Sequence, residues 1–419
     1  KEKELRNIIK KSYSSFARNP LSKDFIKLHK AYIYAGDIIG VGGKQNPEDS
    51  KVAFSNIAEL YHGPTLSFKD FAMQPIGNIY EHFLKTDNKK INIIVATSGD
   101  TGSAAIAALK GKSNINVFVL HPNNKISNIQ RRLMTTVNSR NVFNIAIKGS
   151  FDDCQRLVKD MFADKKFSEK INMSAVNSIN WARIIFQIVY YFFIGLKSLY
   201  QDIAFSIPTG NFGNVYAGYV AEKMGLPIKS LIIATNKNDI LDKVITSGEY
   251  RPSKTKTSIS PSMDIQTASN FERLLYDVVD KNDKKVRSLM NKLKNKGGYS
   301  LGGEVKAFFS YSISDKQTKN FMKEEYNRDA YHIDPHTATA YGAVKYFHNL
   351  VGDYYENESS NYFILATADP CKFSETVKNA TGIKPKIPKS IKNILNKKEN
   401  YAKLENNIDI IKNYILKKI

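Results

Sequence analysis

The chain has 419 residues, 42% hydrophobic, 11% aromatic and 24% charged, which excludes a disordered chain and exceeds one ordinary core, taking roughly 150 residues per domain. Its two cysteines, Cys154 and Cys371, give no disulfide framework and point to a reducing compartment, the cytoplasm. The formal charge of +22 invites a polyanionic partner, but the densest basic run, 384–398, has no interleaved aromatics for base stacking. Nucleic acid is therefore not expected; the reading is a solvated basic surface, with attraction of a phosphorylated substrate as a milder alternative.

The chain opens with KEKELRNIIKKSYSSF, which carries acids and no long apolar core and so is no signal peptide; lacking a starting methionine, it is expected to be trimmed. Apolar residues at helical spacing (Leu5, Ile8, Ile9; Phe25, Leu28, Tyr32) predict a helical pair over 4–17 and 21–36. The stretch from Gly40, GVGGKQNPEDS, reads as a loop. A repeating grammar follows, in which a short apolar strand runs into a polar or Gly-rich turn and then a helix. INIIVA (91–96) precedes TSGDTGS and AAIAALK; VFVL (117–120) precedes HPNNKIS and IQRRLMTTV; IAFSI (203–207) precedes PTGNFGN and VYAGYVAEKMG; LIIA (231–234) comes next. Strands of this length alternating with helices predict parallel sheet joined by βαβ crossovers. The most apolar stretch, 184–196, falls short of the ~20 residues needed to span a bilayer and reads as a buried helix, so no membrane association is expected. The polar segment 235–262 reads as a loop over a cleft, 270–295 and 317–327 as helices, and FILA (363–366) as a late strand. A Lys-rich tail ends in a short amphipathic helix.

Two of these turns, Thr97–Ser103 and Gly210–Asn214, follow strands and open helices, an arrangement that presents backbone N–H groups and a helix N-terminus to an anion. Neither matches a dinucleotide or P-loop motif. Two such cradles suggest one ligand with two acidic groups, or two ligands. A third element, HGPTLSFKDF, sets Lys69 between Phe68 and Phe71, where partial desolvation makes an amine nucleophilic; on residue type alone, a surface lysine at a helix start is the commoner reading. His62, His121, His332 and His336 are scattered without metal-ligand spacing, and no metal is expected.

Six segments, HGPTLSFKDF, ATSGDTGSAA, GNFGN, SNFERLLY, DPHTA and ATADPCKFSE, resemble those of the threonine synthases in their order along the chain, from about Tyr61 to Val377. That family belongs to the tryptophan-synthase-like, fold type II group of pyridoxal-phosphate enzymes. The resemblance implies an α/β fold of two open twisted domains with the cofactor in the cleft between them, and conversion of O-phosphohomoserine and water to threonine and phosphate by a monomer or homodimer. The divisions it suggests are an N-terminal helical segment 1–55, shorter than is usual and without a Ser-Thr-Arg-Gly type segment; a large domain 56–96 and 205–378; a small domain 97–204; and a basic helical tail 379–419. By the same resemblance Lys69 is the Schiff-base lysine and the base at the substrate α carbon. Gly210, Asn211, Phe212, Gly213 and Asn214 hold the cofactor phosphate, Thr367 meets the ring nitrogen and Asp100 lies against the cofactor. Thr97, Ser98, Thr101 and Gly102 take the substrate carboxylate, and Asn177, Ser178 and Arg183 its phosphate. His62 is a candidate for the cofactor pocket, and Phe271, Glu272 and Arg273 fit either a helix-start link or a substrate contact. A phospho-lyase giving 2-oxobutyrate and ammonia is the alternative on the same scaffold. A non-catalytic binding protein is disfavoured because the lysine and the phosphate loop are intact.

Overall fold

The computed structural model describes residues 2–14, 26–34, 52–198, 203–306, 308–351 and 361–419. After the helix Glu2–Tyr13, the strands β1 (Lys27–Tyr34) and β2 (Val52–Glu59) form an antiparallel ribbon. The chain then builds a second sheet from β3 (Ile91–Ala96), β4 (Ile115–Pro122), β5 (Val142–Lys148) and β6 (Met173–Ser174). The helix Trp181–Gly195 leads back to the first sheet, where β7 (Ile203–Pro208) and β8 (Ile228–Thr235) are laid down. A two-stranded ribbon of β9 (Glu249–Tyr250) and β10 (Tyr299–Ser300) intervenes before β11 (Phe309–Ser312) and β12 (Asn361–Ala366), and β13 (Ala402–Glu405) closes the strand list. The larger sheet runs β1-β2-β12-β7-β8-β11 and the smaller β13-β5-β4-β3-β6. Apart from the β1–β2 ribbon, every pairing within these two sheets is parallel.

Parallel strands buried on both faces need continuous apolar runs. Accordingly Ile93 and Val95 of β3 pack on one face of the smaller sheet while Ile94 packs on the other. In the larger sheet Phe205 and Leu231 face the helix Trp181–Gly195, while Ile232 and Ile364 face Tyr341 and Val344 of the helix Pro335–Val351. Each such fully buried side chain contributes roughly 1.5–3 kcal/mol. The fold class expected from the sequence, mixed α/β with two open sheets, is the one observed.

Several details differ from expectation. Residues 27–34 form a strand, not the second helix of a pair, because Leu28 and Tyr32, four apart, suit a period of two as well as one of 3.6, and pairing with β2 decides between them. Residues 15–25, 35–51 and hence the loop read from Gly40 lie outside the described residues. Strand 91–96 belongs to the smaller sheet, not with the larger one, since its neighbours are β4 and β6. The tail is not simply helical: β13 pairs with β5 through backbone groups, and Ile411 and Ile415 of the helix Ile408–Leu416 join the core beneath it. The stretch read as a buried helix has one open face, with Ile185 44% and Val189 42% exposed. The polar stretch from 235 contains the helix Ile240–Ser247 before the chain turns over the cleft. No helix among the described residues is long and apolar enough to cross a membrane.

Candidate active site

Lys69 stands immediately before the helix Asp70–Thr86. Its turn is tied to the end of β12: Phe68 N–H donates to the Thr367 carbonyl (2.9 Å), Asp369 N–H to Leu66 (3.2 Å) and Lys372 Nζ to Thr65 (3.0 Å). Asp70 is fully buried and accepts the N–H and the hydroxyl of Thr65, both at 2.8 Å; burial pushes its carboxyl up to about 6. Burial likewise pushes the Lys69 amine down to about 8, against the pull of Asp100, whose Oδ2 lies 3.5 Å from Nζ. An amine with that value carries a substantial neutral fraction near neutral pH, as a nucleophile or base requires.

The Gly-rich turn after β3 is wound around Thr97, whose Oγ1 accepts the N–H groups of Gly99 and Gly102, each at 2.9 Å. Gly99 has φ 135°, a conformation side chains rarely adopt. The turn opens the helix Asp100–Leu109. Asp100 Oδ1 accepts from Lys372 Nζ (2.5 Å) and Gln130 Nε2 (2.8 Å). Burial works to raise its carboxyl, but the charges of Lys372 and Lys69 outweigh that and hold it well below the usual range. The second turn lies between β7 and the helix Gly213–Lys223. A Cβ on Gly210 would sit 2.6 Å from the Ser262 carbonyl oxygen, so the close approach of these backbones needs glycine. Phe212 has φ 65°, held there by a buried ring set edge-on to Phe271 and Phe308. Asn214 Oδ1 accepts the hydroxyls of Tyr190 (2.5 Å) and Tyr191 (2.9 Å), while its Nδ2 is buried with no partner among the described residues.

These elements meet at one cleft of about 600 Å³, lined from both sheets by Lys69, Ser98, Asn177, Arg183, Gly210 and Thr367 among others. Arg183 is 2% exposed, and its Nη1 donates to the Val176 carbonyl at 3.3 Å. Among the described residues its Nε has no partner and the guanidinium pairs with no carboxylate. Burial pushes it down to about 10. A buried cation without an acid, beside N–H groups at two helix starts, is a site prepared for anionic ligands.

A family model described as pyridoxal-phosphate dependent enzyme matches residues 58–355, and one described as threonine synthase, C-terminal, matches residues 338–415. The threonine synthase of Pseudomonas aeruginosa is 42% identical, with 86% of this chain and 77% of that protein covered. That of Saccharomyces cerevisiae is 38% identical, with 98% and 83% covered. A crystal structure of a pyridoxal-phosphate-bound threonine synthase from Brucella melitensis superposes with a TM-score of 0.84 at 37% identity, covering 99% of this chain and 84% of that one. The chain belongs to the threonine synthase family.

Its cofactor is therefore pyridoxal phosphate, and the residues fit that group. A desolvated lysine amine, an unpartnered amide at Asn214 and a helix start whose Gly210 admits close backbone approach share the cleft. Of the residues expected from the sequence, Lys69, Thr97, Ser98, Thr101, Asn177, Ser178, Arg183, Thr367 and all five of Gly210–Asn214 line it. Asp100 and Gly102 do not: Asp100 lies behind Lys69, and a Cβ on Gly102 would meet Thr97, Met134 and Val119. His62 is not in the lining and instead bonds Glu59 at 2.6 Å. Arg273 reaches the Ile179 carbonyl (2.8 Å) and lies over Trp181, a structural link rather than a cleft contact. Cys371 is buried with Leu66, Ile129 and Ile391.

Three groups in the cleft or behind it are not among those expected there from the sequence, in which His336 is weighed only as a metal ligand. His336 lines the cleft, its Nδ1 2.6 Å from Asp334 and its Nε2 accepting the Ser262 N–H at 3.2 Å. Ser262 Oγ and Gln266 Nε2, in the wall formed by residues 252–269, are buried without partners among the described residues. Lys372 is fully buried behind Lys69. The available signal for the last was a lysine inside ATADPCKFSE between two apolar residues, directly after a predicted strand.

Proposed function

We propose that this chain makes threonine and inorganic phosphate from O-phosphohomoserine and water. The observation that carries this reading is Arg183, a buried guanidinium without a carboxylate in the cleft that also holds the Lys69 amine. Bound pyridoxal phosphate supplies a carbonyl for amines and a ring that accepts the electrons left when a proton leaves the substrate α carbon. Lys69 Nζ holds the cofactor and moves the proton at that carbon, the role its lowered proton affinity suits. The turn Gly210–Asn214 binds the cofactor phosphate with backbone N–H groups at the start of the helix Gly213–Lys223. Thr367 offers the ring nitrogen a neutral hydroxyl, and Asp100 orients Lys69 from behind.

Ser98, with Thr97 and Thr101, binds the substrate carboxylate at the start of the helix Asp100–Leu109, and Gly102 shapes that turn. Arg183, Asn177 and Ser178 hold the substrate phosphate, the fixed donors of the guanidinium matching its oxygens. A β proton is lost as the C–O bond at the γ carbon breaks, and the γ carbon gains a proton to become the methyl group. The released phosphate stays between Arg183 and Ser178 and takes a proton from the water that adds at the β carbon. Lining from both sheets supports a two-lobed protein closing on its substrate, in the reducing interior of the cell. The test is to mix the protein, cofactor and O-phosphohomoserine and identify the products. Threonine and phosphate in equal amounts are expected; 2-oxobutyrate with ammonia would make the chain a lyase, a reading that the named relatives do not favour.

A further inference from the structure

Around the Lys69 amine two ammonium groups meet one carboxylate. Asp100 Oδ1 is 2.5 Å from Lys372 Nζ, and Asp100 Oδ2 is 3.5 Å from Lys69 Nζ. Lys372 is fully buried and has an acceptor for each of its three hydrogens: Asp100, the Thr65 carbonyl at 3.0 Å and the Leu66 carbonyl at 3.4 Å. Lys69 has the longer contact to Asp100 and no other acceptor within hydrogen-bond reach among the described residues. The neighbouring charges do not alter this division. Asp70 has both oxygens engaged by Thr65, Asp369 accepts the Cys371 N–H at 2.9 Å, and Arg183 adds a further positive charge on the cleft side. When two lysines share one acid in a dry environment, the one with the complete set of acceptors keeps its proton.

We propose that Lys372 is a positioning residue that claims Asp100 as its counterion, leaving Lys69 as the lysine of the pair that gives up its proton. Gln130, on the same Asp100 oxygen at 2.8 Å, fixes the carboxylate so that its other oxygen points at Lys69. The arrangement links three parts of the fold: the turn after β12 carries Lys372, the helix Asp100–Leu109 carries Asp100, and the turn before Asp70–Thr86 carries Lys69. It also explains why Lys372 is buried at all. Desolvating an ammonium is unfavourable, and an apolar side chain would fill the space without that penalty if packing were the only demand. The proposal rests on the reading of Lys69 as the working amine of the cleft.

The test reads Lys69 in full-length protein stripped of cofactor. Pulse acylation with acetic anhydride across pH, with peptide mass spectrometry, gives the midpoint at which Lys69 becomes nucleophilic. In Lys372→Met, Asp100 is left to Lys69 alone, and the midpoint rises by about one pH unit, which at about pH 8 lowers labelling roughly fivefold. Adding Asp100→Asn to that variant reverses the shift. If Lys372→Met folds poorly, Lys372→Gln keeps donors for the Thr65 and Leu66 carbonyls, lacks the charge and shows the same rise. In holoenzyme the acidic limb of the kcat/KM profile moves in the same direction as the labelling midpoint. A folded Lys372 variant whose Lys69 midpoint equals that of the wild type overturns the proposal, as does a rise that Asp100→Asn leaves in place. Because the labelling uses no cofactor or substrate, its outcome is separate from whether the wild type yields threonine.

Discussion

A buried guanidinium without an acid carries a desolvation penalty, and Arg183 bears it in the cleft wall. Function and stability should therefore part at this residue. Arg183→Met is expected to stabilise the cofactor-free chain by about 2 kcal/mol, read as a raised urea midpoint, while weakening phosphorylated-substrate binding by about 2 kcal/mol or more, read as KM. A variant that lost stability and kept its KM would remove Arg183 from the site. At Lys69 the expectation is categorical. Lys69→Ala leaves no covalent cofactor, so borohydride reduction and mass spectrometry find no pyridoxyl adduct; an adduct on the variant would reassign the lysine. Both residues were legible in the sequence by resemblance, Lys69 within HGPTLSFKDF and Arg183 beside Asn177 and Ser178 as a candidate for the substrate phosphate. Lys372 and the rearward position of Asp100 were not. The Lys372–Asp100 contact joins residues 272 positions apart (372 − 100), and nothing local in either segment says that one ammonium will lie against the other carboxylate.

Among the elements, periodicity found the strands that have long apolar runs and lost those that do not. β3, β4, β7 and β8 were readable as buried parallel strands. β13 was not, because Ala402–Glu405 is short and docks at an edge through backbone groups. Its segment still acts on the site through Glu399. That carboxylate accepts Arg131 Nε (2.8 Å), Arg132 Nη1 (2.8 Å) and the Thr135 hydroxyl (2.7 Å), all on the helix Asn128–Thr135. The same helix carries Gln130, which fixes Asp100. Chiefly the Arg131 hydrogen bonds hold the Glu399 carboxyl down at about 2. Its stabilisation is thus complete above the unfolded value near 4.5 and is lost as pH falls through about 2. Glu399→Gln is expected to cost about 1–2 kcal/mol at neutral pH, allowing for solvent screening at this partly open rim, and to expose the tail to limited proteolysis. A tail as resistant as that of the wild type would show that β13 and the terminal helix hold it without the clamp.

Across the whole molecule, two buried groups set opposing slopes of stability in mild acid. His121, at the end of β4, is 1% exposed, and among the described residues neither ring nitrogen has a well-formed hydrogen bond, the Pro122 backbone offering only a weak one. Burial pushes it down to about 4 from 6.5. Below pH 6.5 the unfolded chain takes up a proton that the folded chain refuses, so stability falls until about pH 4 is passed, by about 3 kcal/mol in all. Asp70 works the other way. Its carboxyl, pushed up by burial to about 6 from 3.8, binds a proton in the folded state first, so stability rises over nearly the same interval. The wild-type curve adds to these two the buried carboxyls that are also raised, Glu325 among them, so single variants are needed to separate the contributions. His121→Leu loses no strong hydrogen bond and is expected to match the wild type within ~1 kcal/mol at about pH 7.5, then to exceed it by about 2.5 kcal/mol at about pH 4.5. Thermal unfolding of both proteins at the two pH values measures this directly. If the difference between them is the same at both, His121 is protonated in the folded chain, and its two ring nitrogens have found partners that hold the charge.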